Sequence, residues 1–184
     1  MTPLPRAALS HIVMYVFDIE KMKDFYTNVL GFSLSDTGNA RGNDICFLTL
    51  DPELDHHQIA LAAGRTGDMG STSLNHMAFR VRTLSKLRQR YDALVAAGVS
   101  NIDPTTHYTW LSVYFRDPEN NRMEFFCDTP WYVDQPIVEK LDMSLTNVEI
   151  MRLTEEQSRA AAGFRLMDDW KDDAASQLRE RENA

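Results

Sequence analysis

Residues 9–16, LSHIVMYV, are repeated 65 positions later by residues 74–81, LNHMAFRV. Each copy is an apolar run of the kind that forms a buried strand, and each has a histidine at its third position, His11 and His76. A repeated strand with a repeated histidine indicates two half-domains that face each other. We therefore expect the two imidazoles to point at a shared centre.

The repeat extends to a later apolar run in each copy, and there it supplies a third candidate ligand. Ala60 in the first copy corresponds to Glu124 in the second, and both runs predict buried strands. A carboxylate inside a buried strand is costly unless it is paired or binds a metal. His11, His76 and Glu124 thus form a set of two histidines and one carboxylate. That set is typical of the facial triad of non-heme Fe(II) oxygen chemistry.

The alternative is that these residues are structural. His11 and His76 are then ordinary core histidines, and Glu124 forms a salt bridge with Arg122 or Arg80. For each residue alone the two interpretations are about equally good. The occurrence of all three at matching positions of the repeat favours the metal site.

Composition excludes several classes of protein. The 184 residues suffice for one substantial domain or two small ones, and no apolar run approaches the roughly 20 residues of a membrane span. A net charge of −8 with scattered basic residues argues against nucleic-acid binding. Residues 1–6 lack the apolar core of a signal peptide. We expect Cys46 and Cys127 to be buried, reduced thiols of a cytoplasmic protein, with a disulfide between them left open.

The element signals have the same order in both copies. In the first copy they are strand 11–18, helix 19–30, strand 32–35, turn 36–39, strand 44–50 and strand 57–62. After a linker, the second copy has strand 74–81, helix 84–97, a loop or short strand 103–108, strand 110–115, turn 117–121 and strand 122–127. We predict an α+β fold in which two tandem βαβββ modules form a paired-sheet metal-binding cleft.

The domain boundaries follow from the repeat. A domain of residues 1–130 contains modules at about 8–64 and 73–129, joined by a linker at 64–72, and residues 131–184 form a C-terminal extension. The extension is predicted to be helical at 154–162, with Thr154 as N-cap, and at 166–182. We interpret it as a packing or oligomerisation arm. The alternative is a lid over the site, with Trp131 and Tyr132 near its mouth.

The repeat, the strand order and the hairpin DPENNRME at residues 117–124 resemble the vicinal oxygen chelate (glyoxalase/bleomycin resistance/dioxygenase) superfamily. Within it the chain most resembles type I extradiol catechol dioxygenases of the small form, over roughly residues 8 to 130. The resemblance implies that His11, His76 and Glu124 hold Fe(II), with Mn(II) also accepted by this ligand set.

Three further positions resemble catalytic positions of that family. His57, in the run HQIAL, matches the acid–base histidine of the distal pocket, Tyr114 matches a tyrosine that hydrogen-bonds a substrate hydroxyl, and His107 matches a second active-site histidine. A plain core role for Tyr114 is the alternative. Strand alternation places His57 away from the face of Ala60, so we expect a bend or bulge there. His56 is expected to be a solvent-facing residue.

The resemblance implies an extradiol dioxygenase that opens a catechol-type ring with O2. Its partners are then a small aromatic diol and O2, with no nucleic acid or membrane, and a homodimer or higher homo-oligomer is the default assembly. The alternatives are a glyoxalase-like isomerase, a fosfomycin-type thiol transferase and a non-catalytic small-molecule-binding module. The glyoxalase I pattern has a ligating Glu where this chain has Ala60.

Overall fold

In a computed structural model, which describes residues 7–69 and 73–183, both copies of the repeat fold as a strand, a helix and three strands. The first module consists of β1 (Ile12–Val16), α1 (Ile19–Asp24) continued by a π-helical segment (Phe25–Val29), β2 (Ser33–Ala40), β3 (Asn43–Thr49) and β4 (Ile59–Ala63). The second consists of β5 (Met77–Arg80), α2 (Leu84–Ala96), β6 (Asp103–Thr106), β7 (Trp110–Arg116) and β8 (Arg122–Asp128). The predicted α+β fold with two βαβββ modules is confirmed.

The two modules have equivalent sheets. The strand order is β1-β4-β3-β2 in the first sheet and β6-β7-β8-β5 in the second, where the extension adds one more strand beside β6. β1 pairs with β4 in parallel, as β5 does with β8. Ala60 aligns with Val13, and Glu124 aligns in the same way with Ala78. The correspondence between Ala60 and Glu124 predicted from the repeat therefore holds in the fold.

Both modules contribute to one apolar core. On β1 the alternating pattern buries Val16 and leaves Val13 and Tyr15 exposed on the opposite face of the strand. Aromatic rings join the modules, with the Phe32 centroid 5.5 Å from that of Phe79. Cys46 and Cys127 are buried free thiols, as predicted. Among the described residues, no helix is long and apolar enough to cross a membrane.

The predicted position of the first hairpin turn is wrong. The turn expected at 36–39 lies inside β2, because these residues pair with β3 up to Ala40 and Asn43. The chain reverses instead at Arg41 and Gly42, where φ is 55° and 89°, as a tight hairpin of two left-handed residues requires. The linker and the N-terminal segment fall partly or wholly outside the description, at residues 70–72 and 1–6.

The C-terminal extension has more order than its sequence suggested. It contains β9 (Trp131–Tyr132), β10 (Glu139–Lys140), α3 (Asn147–Ala160), β11 (Arg165–Leu166) and α4 (Met167–Asn183). The first helix begins at Asn147 rather than at Thr154, because Thr146 and Glu149 form a capping box. Trp131 is buried, and Tyr132 stacks on Trp170 of α4 with a centroid distance of 5.2 Å. Both rings are therefore packed, Trp131 in the protein interior and Tyr132 against α4.

A buried carboxylate links the two modules. Glu119, in the turn between β7 and β8, is only 2% exposed. Its Oε1 accepts hydrogen bonds from the backbone N–H groups of Phe17 and Asp18, at 2.7 and 2.8 Å. Its Oε2 lies 3.3 Å from Nη1 of Arg65. The turn of the second module therefore satisfies backbone donors at the start of α1 in the first module.

Glu119→Ala should lower the free energy of unfolding by about 3–5 kcal/mol, since it leaves two amide donors without their acceptor and removes the charge partner of the largely buried Arg65 guanidinium. Urea unfolding followed by circular dichroism measures the change. Glu53→Ala, at an exposed turn residue, is the matched control and should stay within about 0.5 kcal/mol of wild type. Equal midpoints for Glu119→Ala and wild type would contradict this role.

Candidate metal centre

His76 and Glu124 meet where β5 begins beside β8. Nε2 of His76 lies 3.2 Å from Oε2 of Glu124, whose residue is only 3% exposed. Ser112 on β7 donates a hydrogen bond of 2.5 Å to Oε1 of the same carboxylate. One oxygen is thus held by the sheet, and the other is directed at the imidazole.

The hydrogen bonds of His76 indicate which of its nitrogens can bind a cation. Nδ1 lies 2.8 Å from the amide oxygen of Asn75, which can only accept a hydrogen bond, so Nδ1 carries the proton. In the neutral ring Nε2 then has a free electron pair that faces the Glu124 carboxylate. Two electron-pair donors at this separation suit a metal ion, with Asn75 acting as the outer partner that orients a histidine ligand. The alternative is that the His76 imidazole is protonated and forms an ion pair with the Glu124 carboxylate.

Tyr114 and His107 lie at the same centre. The Tyr114 hydroxyl is 3.1 Å from Nε2 of His107, and its ring stands perpendicular to that of His76 with centroids 5.5 Å apart. The guanidinium of Arg122 lies over the Tyr114 ring, 4.1 Å from its centroid. Burial, followed by the negative charge of Glu124, raises the pKa of Tyr114 to about 12. The hydroxyl therefore stays protonated at neutral pH and can donate a hydrogen bond.

His11 and His57 form a second group at the edge of the first sheet. Their ring centroids are 4.4 Å apart. His57 lies in the segment before β4 rather than on the strand, so strand alternation does not govern its direction. Nδ1 of His56 lies 3.0 Å from Nδ1 of His57, and Nε2 of His56 lies 2.9 Å from a carboxylate oxygen of Asp36. Partial burial, then the charges of His11 and His56, lower the pKa of His57.

A cavity of about 500 Å³ is lined by one histidine of each group, His11 and His76, while His57, Glu124, Tyr114 and His107 are not among its lining residues. Apolar side chains supply much of its wall, namely Ile12, Ile59, Leu74, Met77 and Phe79. In residues 7–69 and 73–183, however, no three His, Cys, Asp or Glu side chains are close enough to hold one metal ion. The structure therefore brings His76 and Glu124 together, with Tyr114 and His107 beside them. It leaves His11 on the opposite wall, against His57.

Sequence reasoning missed Asn75, Ser112 and the Asp36–His56 pair. Asn75 directly precedes His76 in the sequence. Its amide can therefore reach the imidazole and hydrogen-bond the nitrogen that does not face Glu124. Ser112 is two residues before Tyr114 on β7, so strand alternation puts both on the face of Glu124. Asp36 and His56 are 20 residues apart and meet only through sheet pairing, so the sequence carries no local signal for them.

Comparisons with known proteins agree with this architecture. The family model described as Glyoxalase/Bleomycin resistance protein/Dioxygenase superfamily matches residues 8–125. Biphenyl-2,3-diol 1,2-dioxygenase 2 of Rhodococcus globerulus is 32% identical over 132 residues, which are 70% of this chain and 65% of that protein. Biphenyl-2,3-diol 1,2-dioxygenase 3 of the same organism is 33% identical over 133 residues, covering 70% and 66%. The chain thus spans just under two thirds of the length of these relatives.

Solved structures share the fold at lower identity. A glyoxylase/bleomycin resistance protein/dioxygenase domain from Frankia sp. EAN1pec aligns with a TM-score of 0.59 at 21% identity, covering 68% of this chain and all of that one. The fosfomycin resistance protein FosX from Listeria monocytogenes, complexed with Mn(II) and sulfate, aligns with a TM-score of 0.53 at 21% identity. It covers 68% of this chain and 95% of that one. These likenesses concern the fold alone.

The Tyr114 phenol should remain protonated up to about pH 11 in chelator-treated protein, because its raised pKa favours the neutral form. ¹³C-tyrosine NMR, assigned with Tyr114→Phe, measures the ionisation. Glu124→Gln removes the nearby negative charge and should lower this pKa, while burial, the larger cause, keeps it above about 10. Asp128→Asn, on the same strand but paired with Arg80, should leave it unchanged. A wild-type midpoint near pH 10 would contradict the assignment.

Proposed function

The chain belongs to the Glyoxalase/Bleomycin resistance protein/Dioxygenase superfamily, and from that premise we propose that it is an extradiol dioxygenase that opens catechol-type aromatic rings. Both atoms of O2 enter the product. The observation that carries the proposal is the buried group formed by His76, Glu124, Tyr114 and His107, which combines two metal-ligand types with a phenol and a second imidazole. Relatives named as biphenyl-diol dioxygenases support the same reaction class.

We infer that Fe(II) is the metal, with Mn(II) as the alternative, and that His76 and Glu124 hold it. His11 is the third proposed ligand, because it lines the same cavity as His76 at the equivalent repeat position. To join the pair, its imidazole has to turn from the His57 ring towards His76. When bound, the ferrous ion supplies coordination positions for the two diol oxygens and O2, and a path for electrons between them.

The remaining polar groups orient the diol and handle protons. Tyr114 keeps its hydroxyl proton and donates it in a hydrogen bond, to Nε2 of His107 in this structure and, in our proposal, to a diol oxygen during the reaction. His107 accepts the hydrogen bond of that hydroxyl and is the group that, in our proposal, takes up a proton from the diol. His57 has a lowered pKa, so it is neutral near pH 7 and available as a base beside His11.

The cavity suits an aromatic ring. Its volume of about 500 Å³ lies in the range of small-molecule sites, and apolar side chains supply much of its wall. We propose that the substrate is a small catechol-type diol, with O2 as co-substrate. A homodimer or higher homo-oligomer in the cytoplasm is the proposed working form.

Anaerobic reconstitution with Fe(II), followed by biphenyl-2,3-diol or simple catechols in air, is the direct test. We expect a yellow ring-opened product and one O2 consumed per diol, because extradiol cleavage inserts both oxygen atoms. An oxygen electrode measures the O2 consumed, and the absorbance of the yellow product measures ring opening. Bound metal without O2 uptake for any diol would contradict the proposal and favour an isomerase or thiol transferase of the same superfamily.

His76→Ala and Glu124→Ala should each lose at least about tenfold in Fe(II) affinity, because each removes a proposed ligand and the effect should be no smaller than that of losing an outer partner. Metal content after desalting, by elemental analysis, measures retention. Glu139→Ala, at an exposed residue of the same sheet, is the matched control and should retain wild-type metal. Wild-type content in both ligand variants would remove these residues from the site.

A further inference from the structure

His107 is enclosed by the C-terminal extension. Its Nδ1 lies 2.5 Å from the backbone carbonyl oxygen of Ile137. Gln135 bridges the same two residues: its Nε2 donates a 2.9 Å hydrogen bond to the His107 carbonyl, and its Oε1 accepts one of 2.9 Å from the Ile137 N–H. The Gln135 amide therefore fixes the Ile137 backbone against the loop that carries His107.

This contact selects one tautomer of His107. A carbonyl oxygen only accepts, so Nδ1 carries the proton, and in the neutral ring Nε2 presents a free electron pair. That electron pair faces the Tyr114 hydroxyl at 3.1 Å. His107 is 8% exposed and Tyr114 is 7% exposed, so water has little access to replace either partner.

The extension is held in place on both sides of this contact. Before it, the Val133 N–H donates to Oγ1 of Thr109, at 3.2 Å. After it, β10 pairs with β6, and the Leu141 N–H donates to the Pro104 carbonyl at 3.1 Å. The Ile137 carbonyl is therefore held by its neighbours in the chain as well as by Gln135.

We propose that the C-terminal extension is a working part of the site, with Gln135 and the Ile137 carbonyl as positioning groups for His107. They hold its imidazole in the Nδ1–H tautomer and direct Nε2 at Tyr114. These groups lie beyond residue 125, where the family match ends. The inference rests on the proposed function only where it treats His107 and Tyr114 as catalytic. The positioning itself rests on the hydrogen bonds.

Gln135→Met in the full-length chain tests the proposal, because it keeps the length of the side chain and removes both hydrogen bonds. Gln157→Met, at an exposed position of α3 in the same extension, is the matched control. Long-range ¹H–¹⁵N NMR of ¹⁵N-histidine protein, treated with chelator, reports the tautomer, and His107→Asn assigns the signals. We expect pure Nδ1–H in wild type and Gln157→Met, and a mixed or reversed tautomer in Gln135→Met.

The second measurement is the steady-state kinetics of the Fe(II)-loaded enzyme. In this proposal Gln135 acts only through His107, so Gln135→Met should lower kcat by about tenfold with little change in KM, as expected for the loss of an outer partner. Should that variant not fold, Gln135→Ala removes the same hydrogen bonds with a smaller side chain and should shift the tautomer in the same direction.

The outcomes separate the two proposals. A tautomer shift in a protein that does not consume O2 with catechols supports the positioning role and contradicts the dioxygenase function. An unchanged tautomer in Gln135→Met overturns the positioning role, whatever the wild-type activity. An unchanged tautomer with a lowered kcat also overturns it, because the loss then has another cause.

Discussion

The burial of one carboxylate constrains the whole site. Glu124 lies in the interior of a sheet, where an ionised group is tolerated only with close partners. Ser112 satisfies one of its oxygens and His76 faces the other, while its charge helps to keep the neighbouring Tyr114 protonated. The position of each polar group around it follows from the need to compensate that charge.

The two modules share one fold but carry different side chains at equivalent positions. At the position of Glu124 the first module has Ala60, which needs no polar partner in the sheet. Both modules therefore line the apolar cavity, but only the second has a carboxylate at this position.

The repeat made the fold and the proximity of His76 to Glu124 predictable, whereas Tyr114 and His107 were assigned from the family resemblance. His76, Glu124, Tyr114 and His107 lie on regular strands or adjacent to them, so their proximity follows from alternation and register. The turn at 36–39 was wrong because pairing with an apolar β3 outweighs the local preference of Asp, Gly and Asn for turns. The role of Gln135 was not predictable, since it depends on a backbone carbonyl brought close by tertiary packing. Helix α3 had a signal in its sequence, the Thr146 and Glu149 capping box, that was overlooked.

The contact of Glu119 with the start of α1 has a consequence for biosynthesis. A ribosome releases Phe17 and Asp18 about a hundred residues before it adds the carboxylate that accepts their N–H groups. Until then the first module also lacks the part of the apolar core that the second provides, including the contact between Phe32 and Phe79. The first module therefore cannot complete its native contacts before the second module has been made.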